Sequence, residues 1–193
     1  MRVSAEVGWL MSGLMAVVGI ICLARLVRGG LGVPRREREL DASEVVKSLG
    51  MAVMALPCGA GRSVPEQVWV AVYGGAALWS AAAALRSAEH RGHRLHHGVG
   101  HAAMVYMAVA MAAPMASMSH MGPPPGLPWL TMGLLLFFAG SALVAGARLV
   151  GASAGGRADP GRPAAAGLLW GPEVPRACRI ALGLGMVTML LAM

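Results

Sequence analysis

Four apolar runs, at residues 7–27, 68–85, 127–150 and 178–193, decide most of what this chain can become. Each is close to the ~20 residues that a helix needs to cross the hydrocarbon core of a bilayer. The only charges inside them, Arg25, Arg148 and Arg179, stand near the run ends. Backbone in hydrocarbon has to satisfy its own polar groups, so runs of this kind fold as helices. The chain is 56% hydrophobic and 13% charged, too little charge to clothe a soluble domain of 193 residues. The expected fold is an all-α, polytopic membrane helix bundle. The first run is read as a retained span, since its apolar core is long for a cleaved signal and no small-residue cleavage site precedes the basic loop.

Two further segments complete the expected set. Residues 29–40, with Arg35, Arg36 and Arg38, form a charged connection, after which Asp41 or Ser43 offers a helix cap and residues 45–60 a second span, interrupted by Lys47 and Pro57. This segment is short enough to be re-entrant or interfacial. Residues 93–121 form the fourth span. Within it His93, His97, His101, Met104, Met107, Met111, Met115, Met118 and Met121 follow one another in steps of three or four, a single stripe along a helix, with Pro114 as a local kink.

Charge placement favours six spans with both ends outside. That topology puts fourteen of the sixteen basic residues in cytoplasmic connections and leaves only Arg2 and Arg62 outside. Clusters between apolar runs are topology signals, so the net charge of +7 points to a lipid bilayer as partner, and no nucleic acid is expected. One lysine against fifteen arginines, and no asparagine, indicate a GC-rich bacterial genome and hence the bacterial plasma membrane.

Internal repetition supports the count. Trp9, Trp69 and Trp129 are 60 residues apart, each opening an odd-numbered span, and Ala-Arg-Leu-Val closes the first and fifth. The even spans carry Gly50-Met51-Ala-Val-Met54, Ala103-Met104-Val-Tyr-Met107 and Gly185-Met186-Val-Thr-Met189. The pattern predicts three helical hairpins, at about 1–60, 61–121 and 122–193, around an approximate threefold axis, with a flexible cytoplasmic loop at 151–175.

Fifteen methionines, against two phenylalanines, are not a product of nucleotide bias. With the even spans around one axis, Met51, Met104 and Met186 form one sulfur triangle and Met54, Met107 and Met189 a second. Such soft, neutral shells suit Cu(I) or Ag(I) and bind hard cations poorly. Met115, Met118, His120 and Met121 would capture the ion outside, Met111 is a further candidate ligand on the stripe, and His97 and His101, with His90, His93 and His96 nearby, would receive it inside. The same methionines also make flexible packing between Ala- and Gly-rich helices. On that reading the chain is a non-catalytic accessory subunit or scaffold for other membrane proteins. Cys22, Cys58 and Cys178 have no paired spacing and are read as small apolar fillers. A haem is disfavoured because His101 is the only histidine clearly inside a span. No carboxylate proton path is indicated, Glu44 being placed at a span edge. No catalytic signature is present and no enzymatic activity is expected.

The arrangement of Met-x-x-Met pairs resembles, in its chemistry, the Ctr family of copper transporters, trimers whose pore helix bears Met-x-x-x-Met. Across most of the chain, and most clearly at residues 97–107 and 178–193, the sequence also resembles an actinobacterial family of multi-pass membrane proteins known as a domain of unknown function. That resemblance implies a membrane location and no assigned activity. Glu44 and Arg179 stand where the second repeat has His97, so a threefold histidine site is not expected.

Overall fold

The computed structural model describes residues 5–28, 35–57, 59–86, 91–112, 127–155 and 173–192. Regular structure among them is helical throughout: α1 (Ala5–Arg28), α2 (Arg35–Ala55), α3 (Ala60–Ser63), α4 (Glu66–Arg86), α5 (Arg91–Ala112), α6 (Pro128–Gly155) and α7 (Glu173–Ala192). Four of these, α1, α4, α6 and α7, are long and apolar enough to cross a membrane. Helices α2 and α5 have similar lengths, 21 and 22 residues, but carry charge and histidine.

The helices pair as α1 with α2, α4 with α5, and α6 with α7. The first pair is antiparallel: the Ser12 hydroxyl donates to the Ala52 carbonyl at 2.8 Å, while Cys22 lies against Glu44. Across the hairpins α2 touches both α5 and α7. It runs beside them in the same direction, with Glu44 and Lys47 facing Arg179 and His97. The inner helices are thus α2, α5 and α7. Large apolar residues of α1, α4 and α6, among them Leu10, Leu14, Leu78, Leu136 and Leu143, stay exposed on the outside, as a lipid-facing surface requires.

Local chemistry explains the joints. Pro57 cannot continue α2, and the chain turns through Gly59, whose φ of 75° is open to a residue without Cβ. Trp69 donates its indole N–H to the Gly61 carbonyl at 3.2 Å, which ties α3 to α4. At the other joint the Tyr106 hydroxyl meets Thr131 Oγ1 at 2.6 Å and accepts from the Leu127 N–H at 3.0 Å, linking α5 to α6.

Several boundaries differ from those read in the sequence. The second helix begins at Arg35 and ends at Ala55, so Asp41 and Ser43 lie inside it and cap nothing. Its middle carries Asp41, Glu44, Lys47 and Ser48 buried against polar partners, which composition alone reads as the edge of a connection. Helix α6 continues to Gly155 and α7 begins at Glu173, which narrows the expected loop. The far end of the histidine–methionine segment, with Pro114, falls outside the described residues.

Tyr73 of α4 is the wedge between the first two hairpins. It is buried, stacks against Trp69 and His101, and donates to the Val46 carbonyl at 2.8 Å. It fits because Gly50 has no side chain; a Cβ there would overlap the Tyr73 hydroxyl and ring. Gly50→Ala is expected to lower stability by about 1–3 kcal/mol through overpacking, read as a drop in thermal midpoint of the detergent-solubilised protein. Gly133→Ala, where a Cβ meets open space, should leave the midpoint unchanged.

Candidate functional site

The buried face of α2 changes character along its length. Asp41, Glu44, Lys47 and Ser48 come first, then Met51, Ala52 and Met54, at steps that keep them on one side of the helix. All are buried, and Glu44 is 0% exposed. A charge removed from water has to be paired and hydrogen-bonded, and each neighbouring helix supplies a partner. Arg179 of α7 holds Glu44 through Nε–Oε1 at 2.9 Å. From α1, Arg25 stands 3.6 Å from Asp41, and the Cys22 thiol donates to Glu44 Oε2 at 3.7 Å.

Helix α5 answers with histidines. Lys47 Nζ lies 2.9 Å from His97 Nδ1, and Ser43 Oγ lies 3.3 Å from the same nitrogen and 2.9 Å from His101 Nε2. An ammonium only donates, so Nδ1 of His97 accepts and the ring proton sits on Nε2. That Nε2, and Nδ1 of His101, are buried without a hydrogen-bond partner among the described residues. The aliphatic stem of Lys47 reaches this place over Gly100, whose missing Cβ would lie 3.5 Å from Lys47 Cδ.

Repeat symmetry accounts for the convergence. Glu44, His97 and Arg179 each precede by six residues the start of an even-helix signature, at Gly50, Ala103 and Gly185. In the structure these three equivalent positions line one small cavity of about 30 Å³, together with Lys47, Met51 and Met186. A larger cleft, about 440 Å³, opens between α2, α4 and α5 past Trp79 and is lined at its inner end by Ser43, His97 and His101. His97 lines both spaces.

The sequence-read site residues distribute as follows. Met51, Met54, His97, His101, Met104, Met107 and Met186 are buried, and Met111 and Met189 pack partly buried against the same core. Met115, Met118, His120 and Met121 lie outside the described residues. The cavity brings Met51 and Met186 together with His97, and Met104 approaches Gly50 in the same core. Among the described residues, no group of three or more His, Cys, Asp or Glu side chains is disposed to hold a metal ion.

Three sequence readings are corrected here. Glu44 is not at a span edge but at the centre of the buried cluster. His101 is not alone inside, since His97 is 4% exposed. Cys22 and Cys178 are buried in the core as the filler reading has it, but Cys22 is not only a filler, since its thiol donates to Glu44 Oε2 at 3.7 Å. The missed signal was available in α2, where Asp41, Glu44, Ser48 and Met51 continue one helical face from charge into methionine.

Fold and site together define a membrane protein of the all-helical class with a charged, sulfur-rich interior. A family model described as a domain of unknown function (DUF5134) matches residues 36–193, and the chain belongs to that family. No curated protein and no solved structure matches the chain.

The Glu44–Arg179 pair yields a double-mutant test. Arg179→Met leaves the buried Glu44 carboxylate without its cation and should cost about 3–5 kcal/mol in unfolding free energy. Combining it with Glu44→Leu removes both charges and should recover most of that loss. Additive losses in the double variant, measured by denaturant or thermal unfolding in detergent, would exclude a direct pair.

Proposed function

We propose that this protein binds Cu(I) inside the membrane, between its three inner helices. The observation that carries this reading is the central cavity, where Met51 of α2, Met186 of α7 and His97 of α5 share one wall system around a space the size of a small ion. Thioether and imidazole are ligands that a soft monovalent ion accepts. Lys47 and Arg179 stand in the same wall with Glu44. An ion there is therefore held by coordination rather than by charge, and hard cations, which need negative oxygen ligands, are repelled. His97 Nε2 and His101 Nδ1 are buried nitrogens that no protein group in the described residues uses; His97 Nε2 carries the ring proton while Lys47 donates to Nδ1, so His97 becomes a ligand only as that proton leaves.

Orientation follows from the arginines. Arg25, Lys47 and Arg179 take part in the buried cluster, so they are packing charges as well as topology signals. Eleven other basic residues still fall on the side assigned to the cytoplasm, against Arg2 and Arg62 on the other. On this topology the polar cluster lies toward the cytoplasm and the methionine layer toward the outside. Helices α2 and α5 then span with the other four, their polar faces turned inward. The rival reading, a non-catalytic accessory subunit, is favoured by α4, of whose apolar window only 11% is buried in the chain itself.

Anaerobic Cu(I) competition on the purified protein separates the two. Changing Met51, Met104 and Met186 to Leu removes sulfur while nearly conserving volume, at a cost per site below about 1.5 kcal/mol. Tight binding that is lost in the triple variant is the expected result. Equal binding by both proteins, or none by either, returns the methionines to packing and leaves the accessory-subunit reading.

A further inference from the structure

We propose that the lateral cleft between α2, α4 and α5 is a binding site for the head group of a lipid-soluble quinone. The site does not depend on the Cu(I) reading: of the residues lining the cleft, His97 alone also lines the central cavity.

The cleft exists because of what α4 presents. Gly75, Ala76, Ser80 and Ala83 stand along one wall, and small residues there leave room opposite Ser43 and Val46 of α2. A Cβ built on Gly75 meets nothing within 4 Å. Ser80 donates its hydroxyl to the Ala76 carbonyl at 2.8 Å, so α4 adds hydrocarbon and the Trp79 indole to the lining. At about 440 Å³ the space falls within the roughly 300–1,000 Å³ of small-molecule pockets, which are apolar with a few placed polar groups.

Ser43, His97 and His101 form the inner end of the cleft, and Glu39 and Arg94 line the other. His97 and His101 are 4% and 2% exposed, and each has a ring nitrogen without a hydrogen-bond partner among the described residues. Both nitrogens are donors. Lys47 donates to His97 Nδ1 at 2.9 Å, which leaves the ring proton on Nε2. Ser43 has a single proton; with His97 Nδ1 already accepting, it goes to His101 Nε2 at 2.9 Å, and His101 keeps its own proton on Nδ1. Two buried N–H groups at the end of an apolar cleft call for an uncharged ligand that brings acceptors.

Depth selects among such ligands. His101 lies eight residues beyond His93, about 12 Å further along α5 and away from the cytoplasmic edge on the topology proposed above. The ester carbonyls of a phospholipid stay at the interface, and a charged head group at that depth would lose its hydration. A quinone is uncharged, planar and soluble in hydrocarbon, and its two carbonyl oxygens accept without a donor beside them. Trp79, 64% exposed, stands at the opening and offers an aromatic face against which such a ring stacks, while the tail runs out past it into lipid.

The test uses the full-length, metal-free protein in detergent, titrated with 2,3-dimethoxy-5-methyl-6-decyl-1,4-benzoquinone, whose fully substituted ring does not add a thiol. Tryptophan emission is the readout, since a quinone quenches an indole that it touches. Saturable quenching is expected, the larger part of it lost in Trp79→Phe. Gly75→Leu grows into the open space of the cleft and should raise the half-saturating concentration at least tenfold. Gly74→Leu is the control and should bind as wild type, because a Cβ there also meets open space and Gly74 does not line the cleft. His101→Phe keeps an aromatic ring beside Tyr73, removes the N–H and should weaken binding about three- to tenfold. Thermal unfolding shows whether each variant is folded; should Gly75→Leu fail, Ala76→Leu fills the cleft from the adjoining position and takes its place. Quenching that rises in proportion to the quinone and equally in all variants, as for a probe dissolved in the micelle, would overturn the proposal. So would saturable binding untouched by the cleft-filling substitution, or a Gly75-dependent gain in thermal midpoint with short-chain phosphatidylglycerol and none with the quinone. With no metal present the result bears on the cleft alone, and the Cu(I) competition stands or falls separately.

Discussion

Everything in the interior depends on the burial of Glu44. A carboxylate removed from water next to apolar helices is tolerable only with a cation on it, and Arg179 of the last helix provides one. From that pair the rest follows outward along α2. Asp41 requires Arg25, Lys47 requires His97, and Ser43 joins His97 to His101. Each of the three helices packed on α2 therefore contributes a group that α2 cannot do without. Such pairs add little net stability compared with apolar replacements, but an unpaired member is costly, so they select one packing over others.

Two layers of different chemistry result, and they share the same helices. At one level the inner faces are ionic; two turns further along they are thioether, with Met51, Met104 and Met186 buried together. Methionine fits that second layer on packing grounds alone, because it is unbranched and can fill the irregular gaps between Ala and Gly surfaces. At the boundary between the layers His97 stands between the lateral cleft and the central space.

The outer part of the fold was legible and the inner part was only half so. Apolar runs with charge only near their ends marked the outer helices α1, α4 and α6, because lipid-facing helices obey composition directly, and marked the inner α7 as well. The stripe from His97 to Met107 was legible for the opposite reason: its 3.6 period contrasts with plain alanine and valine, and it is the buried face of α5. Helix α2 was misplaced since Asp41, Glu44 and Lys47 in its middle face inward, which inverts the rule that polar residues mark connections. That Cys22 and Cys178 belong to one buried core was beyond reach, as nothing in a spacing of 156 residues shows that two ends of a bundle meet. Glu44 and Arg179 were noticed as departures from a repeated histidine; that they are complementary charges at a shared level became meaningful only with three helices running side by side.

That departure has a consequence for how the bundle assembles. Three like hairpins with identical inner residues would be interchangeable, and a hairpin inserted out of place would find the same surface waiting. An acid, an imidazole and a guanidinium at one level make the three places different. The hairpin carrying Arg179 has one seat in which its charge is answered, and that seat is offered by the first hairpin, not its immediate predecessor. Divergence between the copies thus acts as a key. It closes the ring by joining the last repeat to the first, and the chain becomes a unit whose parts cannot be permuted.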